Sequence, residues 1–452
     1  MSEEVIGERN VVIVDAPIRA CQMLRREGTR RPAGRALLCC VDSDRRRARQ
    51  ASNNSSPAMK GSADGGRTND GRMRRMEARG AATARRKPIR QTAAMATVVA
   101  SALLFVATDF TLPTAAAQGT AGSAPKVRVE SVRRVFHNGE HNAFTDLVRF
   151  KGHMYLTFRS CPDGHMVHPT ASTIVLRSVD GREWEQVHRF RVPLRDTRDP
   201  HFLVFKDRLF VYTGTWYSGK TTIPIKDYDL NQHLGYAAWS DDGTKWTSPV
   251  MLEGTFGHYV WRAATFGDKA YLCGRRKPGF EITARGEPEN VESLMLESDD
   301  GLVWRKRAVF QETAGDETAF AFEADGSVLG IGRHGTGKEA QLLRSRPPYI
   351  AWERKSLDRS VGGPLLAQWG GRYVVGGRKQ TADRGPKTSL CWLMDERLEE
   401  FAELPSGGDN SYPGLLELSP TRALVSYYSS HEQDAAGKPL TAIYLVELAI
   451  EP

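Results

Sequence analysis

A seven-residue pattern, Ser-x-Asp-Gly-x-x-Trp, recurs in this chain and constrains its fold more than any other feature. It reads Ser178-Val179-Asp180-Gly181-Arg182-Glu183-Trp184, then Ser240-Asp241-Asp242-Gly243-Thr244-Lys245-Trp246, then Ser298-Asp299-Asp300-Gly301-Leu302-Val303-Trp304. The starts lie 62 and 58 residues apart, and a degenerate fourth copy, Ser345 to Trp352, follows 47 later. Asp-Gly supplies the positive-φ geometry of a tight hairpin, Ser and Asp side chains bond nearby backbone groups, and the Trp packs back over the turn. Each turn follows a short β-rich run such as 172–177 or 234–239, and two more strands lie upstream, such as 144–150 and 154–158 joined at Lys151-Gly152. About four strands per unit, a period near 50–60 and almost no helical pattern predict an all-β chain, a six-bladed β-propeller of four-stranded antiparallel blades. The six units open near Asp146, Asp199, Arg262, Glu317, Pro364 and Tyr412, and 127–136 is expected to supply the outer strand that closes the ring.

Charge separates the chain into a leader and a body. The 452 residues carry a formal charge of +9. Residues 1–117 hold 21 basic and 11 acidic residues, so the remainder is nearly neutral, with 42 basic and 43 acidic. A phosphate-tracking surface would place the excess on the folded domain, which argues against nucleic acid as a partner. Residues 1–84 read as a disordered basic leader, with Met73, Met76 and Met95 as alternative starts. Residues 85–117 read as a signal peptide: Arg85-Arg86-Lys87, an apolar run from Ala93 to Ala107, and Ala115-Ala116-Ala117 before an expected cleavage after Ala117. The apolar run is too short for a stable membrane span, so a secreted or periplasmic protein is expected. Residues 118–142 form a linker and closing strand, and 143–452 the propeller.

Of six cysteines, Cys161, Cys273 and Cys391 follow the leader, widely scattered; neither a disulfide framework nor a metal-ligand spacing is present, and no cofactor is expected. Gly330-Ile-Gly332-Arg-His-Gly335 matches a dinucleotide-binding pattern, but a β-like stretch follows it where a helix is required. His137-Asn-Gly-Glu140-His141 matches a metallopeptidase pattern, but Asn-Gly at its centre favours a turn.

Aligning the units exposes a second regularity. Polar residues recur at the start of the first strand (Asp146, Arg198 with Asp199, Arg262, Glu317, Tyr412), and arginines recur at the end of the second (Arg159, Arg275, Arg333, Arg378). Innermost strands converge on the axis, so these positions predict a shared, arginine-rich pocket for a small anionic ligand.

These residues resemble the sialidase (neuraminidase) superfamily. The turns are similar to its Asp-box repeats, one residue shorter than the commonest form. Glu317 to Arg333, with Asp325-Gly326 between, resembles the segment in which a base precedes a substrate-binding arginine. Asp409-Asn-Ser-Tyr412-Pro resembles the nucleophile segment. The resemblance implies a tyrosine nucleophile, Tyr412, activated by Glu317, and an acid/base on the 161–168 loop, with Asp163 the nearest match and His165 a rival. It implies a glycan partner ending in sialic acid or a related acidic sugar, gripped by arginines. The chain departs from the family in the first blade, where Phe144-Thr145-Asp146-Leu147 replaces Arg-Ile-Pro. The grip then falls to Arg159, Arg198, Arg262, Arg333 and Arg378, with Asp146 and Asp199 alongside. A glycan-binding propeller without catalysis, and a glycosidase or lyase for another acidic saccharide, are the alternatives.

Overall fold

A computed structural model describes residues 123–224, 227–280 and 290–451. The leader and signal-peptide readings fall on residues outside these. The described residues all lie within one compact unit.

Six four-stranded antiparallel sheets follow one another along the chain. Blade 1 comprises β2 (His141–Phe150), β3 (His153–Cys161), β4 (Ser172–Ser178) and β5 (Glu185–Phe190). Blade 2 comprises β6 (Arg195–Phe205), β7 (Arg208–Tyr217), β8 (Leu234–Ser240) and a two-residue outer strand, β9 (Val250–Met251). Blade 3 runs through β10 (Tyr259–Phe266), β11 (Lys269–Arg276), β12 (Glu292–Ser298) and β13 (Arg305–Gln311). Blade 4 uses β14 (Gly315–Phe322), β15 (Val328–His334), β16 (Gln341–Ser345) and β17 (Trp352–Ser356). Blade 5 uses β18 (Gly362–Trp369), β19 (Arg372–Thr381), β20 (Gly385–Met394) and β21 (Arg397–Leu404). Blade 6 is composite: β22 (Asn410–Ser419), β23 (Arg422–Gln433) and β24 (Pro439–Ile450) are completed by β1 (Val127–Phe136), paired from Val127 with Ile450 to Phe136 with Ile443. The architecture is a six-bladed β-propeller, closed by the strand expected from the sequence. No helix among the described residues is long and apolar enough to cross a membrane. The glycine-rich 330–335 segment lies in β15 and the turn after it, and Cys161, Cys273 and Cys391 are buried free thiols.

The Ser-x-Asp-Gly turns join third to fourth strands and follow one hydrogen-bond scheme. In the first, Ser178 Oγ accepts from Gly181 N at 2.9 Å, and Asp180 Oδ1 accepts from Arg182 N at 2.8 Å and Glu183 N at 3.2 Å. The glycines take φ of 76°, 80° and 81°. The tryptophans divide their roles. Trp184 bonds back to Gly181 O at 3.0 Å, whereas Trp246 stacks on His188 (5.4 Å, 9°) and Trp304 meets Tyr212 edge-on (5.6 Å, 85°), both on the preceding blade. The turns therefore clamp blade to blade as well as closing hairpins.

Every inner strand carries the same irregularity. Two residues oppose one residue of the second strand at 144–145, 199–200, 261–262, 316–317, 363–364 and 412–413. Phe144, Asp199, Gly363 and Tyr412 within these bulges have φ of 64°, 50°, 60° and 51°. A bulge breaks the ladder and re-aims the side chains and carbonyls of its extra residue. Arg262 exploits this. Its guanidinium, 8% exposed as a residue, bonds Asp146 Oδ1 (3.1 Å) and two bulge carbonyls, Pro364 O (2.9 Å) and Pro413 O (2.6 Å). Asp146 also accepts from Phe202 N at 2.9 Å. One buried ion pair thus ties blades 1, 2, 3, 5 and 6 together.

Two expectations follow. Arg262→Met leaves Asp146 buried without its cation, and chemical denaturation should show a loss of about 3–5 kcal/mol. An ideal Cβ on Gly243 would sit 1.8 Å from the buried Tyr155 hydroxyl, whereas one on Gly267 (φ 59°) meets nothing within 4 Å. Gly243→Ala should cost about 2–4 kcal/mol against about 1–2 for Gly267→Ala, and equal costs would refute the clamping contact.

Candidate active site

The bulged strands converge on a pocket of about 560 Å³. On its wall Tyr412 and Glu317, 6% and 5% exposed, face each other from blades 6 and 4. Tyr412 Oη donates to Glu317 Oε1 at 2.6 Å. Glu317 Oε2 accepts from Arg333 Nη1 at 2.9 Å and from Gly363 N at 3.1 Å, and Arg333 Nη1 lies 3.5 Å from Tyr412 Oη. Burial and the Glu317 charge push the Tyr412 phenol well above its ordinary range, with Arg333 opposing them. The phenol is therefore neutral at rest and hydrogen-bonded to a carboxylate, an arrangement chemically suited to activating a tyrosine oxygen.

Four arginines line the pocket: Arg198, Arg275, Arg333 and Arg378. Asp316 bridges two of them, pairing with Arg275 and lying 3.3 Å from Arg333 Nε. Burial alone would raise the Asp316 carboxyl, but those two cations hold it below its usual range. Arg378 lies over the Tyr412 ring at 5.5 Å and bonds Asp409 Oδ1 (3.2 Å), Asn410 O and the Tyr428 hydroxyl (3.0 Å). Arg198 lies over the Phe144 ring at 5.1 Å and donates to His165 O at 2.9 Å. Phe144 in turn meets Tyr412 edge-on at 4.9 Å. Beside them Asp199 accepts from the Tyr259 hydroxyl, while its Oδ1 has no partner among the described residues. Burial, reinforced by the Glu317 charge and opposed by Arg198, raises the Asp199 carboxyl to about 7.

The structure thus brings Tyr412, Glu317, His165, Arg198, Asp199, Arg333 and Arg378 to one pocket and leaves four expected residues away from its lining. Arg262 and Asp146 pair with each other in the axial tie. Arg159 is fully buried, holds Asp196 through two bonds of 2.9 and 2.8 Å, and pins the 161–168 loop through Gly164 O and Met166 O, each at 3.0 Å. Asp163 is exposed on that loop and accepts from the Thr170 hydroxyl. Sequence reasoning passed over Asp316, Tyr259, Asp409 and His141. Asp316 had a signal in its place beside Glu317; Asp409 and His141 stood in segments singled out for other reasons, and Tyr259 had none.

His165 occupies a distinctive place. Its Nδ1 is 2.6 Å from Asp409 Oδ2, and His141 Nε2 reaches the same oxygen at 2.9 Å. Their ligand-type atoms lie within 4.8 Å of one another, a donor set suited to a divalent ion. Arg378 on the other carboxylate oxygen, and Arg159 Nη1 at 3.5 Å from His141 Nδ1, put two cations against it. A metal-bound His141 would also need an acceptor at Nδ1, where a donor stands.

No protein-family model matches the sequence, and no curated protein does. Solved structures do match. A Dyadobacter fermentans protein of unknown function superposes with a TM-score of 0.60 at 20% identity, covering 73% of this chain and 100% of that one. A Trypanosoma rangeli sialidase in complex with the inhibitor DANA gives 0.52 at 14%, covering 68% of this chain and 55% of that one. A Hadza microbial sialidase gives 0.51 at 14%, covering 68% and 65%. The chain thus spans little more than half of the trypanosomal enzyme, and what it shares with these proteins is the sialidase-like β-propeller fold.

Proposed function

We propose that the protein is a retaining exo-glycosidase that removes a terminal sialic acid or related acidic sugar from a glycan. The observation that carries this reading is the 2.6 Å bond between Tyr412 and Glu317, completed by Arg333 on the second carboxylate oxygen. Tyrosine nucleophiles are the noted exception to the two-carboxylate scheme of glycosidases. A neutral phenol approaches an anionic sugar without charge repulsion, and Glu317 removes its proton as the bond to the anomeric carbon forms. Arg333 and Arg378 flank the nucleophile and are placed to grip the substrate carboxylate. Phe144 stands where the resemblance expects a third arginine, and Arg198 covers its ring from the neighbouring blade. That substitution favours a second reading, in which the acidic saccharide differs from sialic acid or is bound without being cleaved. Export belongs to the same proposal: a mature protein beginning at Gln118 is its expected product, read by N-terminal sequencing of secreted material.

Tyr412→Phe should lower turnover at least ~10³-fold, about 4 kcal/mol of transition-state stabilisation. Glu317→Gln should lower it ~10²–10⁴-fold, the usual contribution of a general base. Both should keep the wild-type melting profile. Aryl glycosides of acidic sugars, with product configuration followed by NMR, provide the assay; near-wild-type turnover by either variant refutes the mechanism. Wild-type binding of the same sugars without product release would establish the non-hydrolytic reading.

A further inference from the structure

A retaining displacement needs a proton at the departing oxygen, on the face of the sugar opposite the nucleophile. In an exo-enzyme that oxygen carries the rest of the glycan, so the donor belongs at the open side of the pocket. Tyr412 and Asp199 are 6% and 5% exposed, and both lie in the electrostatic reach of Glu317. Asp199 is thus buried in the pocket wall, where its Oδ2 is engaged by the Tyr259 hydroxyl. The His165 side chain is 47% exposed, lines the same pocket, and stands one ring away, 5.9 Å from Phe144, which itself touches Tyr412. Asp163 and His168, the other residues of that loop with suitable chemistry, lie outside the pocket lining and are bonded to Thr170 and Thr222.

The surroundings of His165 are built to orient an imidazole. Asp409 Oδ2 takes its Nδ1, which leaves Nε2 as the nitrogen that can exchange a proton with a ligand. Asp409 is itself fixed: Arg378 and the Tyr428 hydroxyl hold its Oδ1 at 3.2 and 2.9 Å, and His141 shares its Oδ2. Arg159 facing His141 Nδ1 makes that nitrogen an acceptor, so the His141 proton sits on Nε2 and points at Asp409. Burial works to raise the Asp409 carboxyl, but the two imidazoles hold it well below its ordinary range, so it stays anionic beside His165. The loop backbone is fixed independently through Arg159 and through Arg198 on His165 O.

Resting on the glycosidase reading above, we infer that His165, oriented by Asp409 and His141, is the acid/base residue of this site. As the bond between the anomeric carbon and the leaving oxygen breaks, the doubly protonated imidazole gives its Nε2 proton to that oxygen. At the same time Tyr412 Oη bonds to the anomeric carbon and its proton passes to Glu317. In the second half, neutral His165 takes a proton from the attacking water, the bond from Tyr412 to the sugar breaks, and Glu317 returns its proton to Tyr412. One water is consumed and every group regains its starting state. His165 touches substrate in this scheme; Asp409 and His141 are positioning residues.

The test compares leaving groups, because a proton donor matters only when the leaving oxygen is basic. Wild type, His165→Gln, Asp409→Asn, Asp199→Asn and Tyr412→Phe are assayed on the 4-nitrophenyl glycoside and on the same sugar linked to galactose. His165→Gln should lose at least ~10²-fold on the galactose-linked substrate and less than ~10-fold on the 4-nitrophenyl glycoside. Asp409→Asn should show the same selectivity to a smaller degree, which a merely structural lesion would not produce. Equal losses on both substrates, no loss on either, or the selectivity appearing in Asp199→Asn instead overturns the assignment. Stoichiometric zinc in the purified protein, with activity abolished by a chelator and restored by zinc, also overturns it in favour of a metal centre. Tyr412→Phe active at wild-type rates would sink the glycosidase reading itself, whereas an inactive Tyr412→Phe beside an unselective His165→Gln removes only this inference.

Discussion

A guanidinium buried on the axis of a propeller is tolerable only if most of its donors are met, and Arg262 meets that condition through the bulges of its neighbours. Desolvating such an ion costs several kcal/mol, which a single carboxylate repays only with good geometry and further hydrogen bonds. Asp146 supplies the charge, and the carbonyls of Pro364 and Pro413 supply the remainder. Those carbonyls are available because two residues oppose one at that level of blades 5 and 6. The irregularity that frees them also turns Tyr412 and Glu317 toward each other. Axial stability and the Tyr412–Glu317 pairing therefore share one cause, the repeated failure of the ladder near the entry of each blade.

The pocket arginines follow a related logic. Arg275 and Arg333 share Asp316, Arg333 also holds Glu317, and Arg378 holds Asp409. Each cation is pre-oriented by an anion already present, so little side-chain entropy remains to be lost on binding an anionic group. The arrangement favours a small anion that matches these directions over a polyanion held by diffuse charge, in keeping with the near-neutral body of the chain.

The fold was legible in the sequence because its signals are local. A glycine at positive φ flanked by Ser, Asp and Trp announces a hairpin wherever it occurs, and its spacing gives the blades. The Tyr412–Glu317 pairing was legible through the resemblance and because each residue opens a blade. The arginine series was less so. Arg159 and Arg378 occupy matching places on their second strands, each paired with the residue before the bulge, yet Arg159 turns into the core to meet Asp196 while Arg378 lines the pocket. Position in a strand fixes where a side chain starts, and the partner decides where it ends. Asp163 and His165 sit two residues apart on one loop, and what distinguishes them is tertiary: His165 faces the pocket and meets Asp409, 244 residues downstream in the chain, whereas Asp163 turns to Thr170. His141 belongs to a motif rejected for lack of a helix, and it reaches the site by another route, as a second donor to Asp409.

Closure of the ring by β1 has a consequence for when the Tyr412–Glu317 pair can form. Tyr412 stands on β22, in the one blade assembled from both ends of the described chain, where residues near 130 pair with residues near 447. Five blades can form from sequence-local hairpins as they emerge from the ribosome. The sixth waits for the last strand to be made and for the earliest to find it, a contact of high sequence separation that folds late. Until then Tyr412 has no completed sheet behind it. A copy truncated before β24 would present five blades and the four pocket arginines with the sheet behind Tyr412 incomplete, so the pairing of Tyr412 with Glu317 is fixed only once the circle is shut.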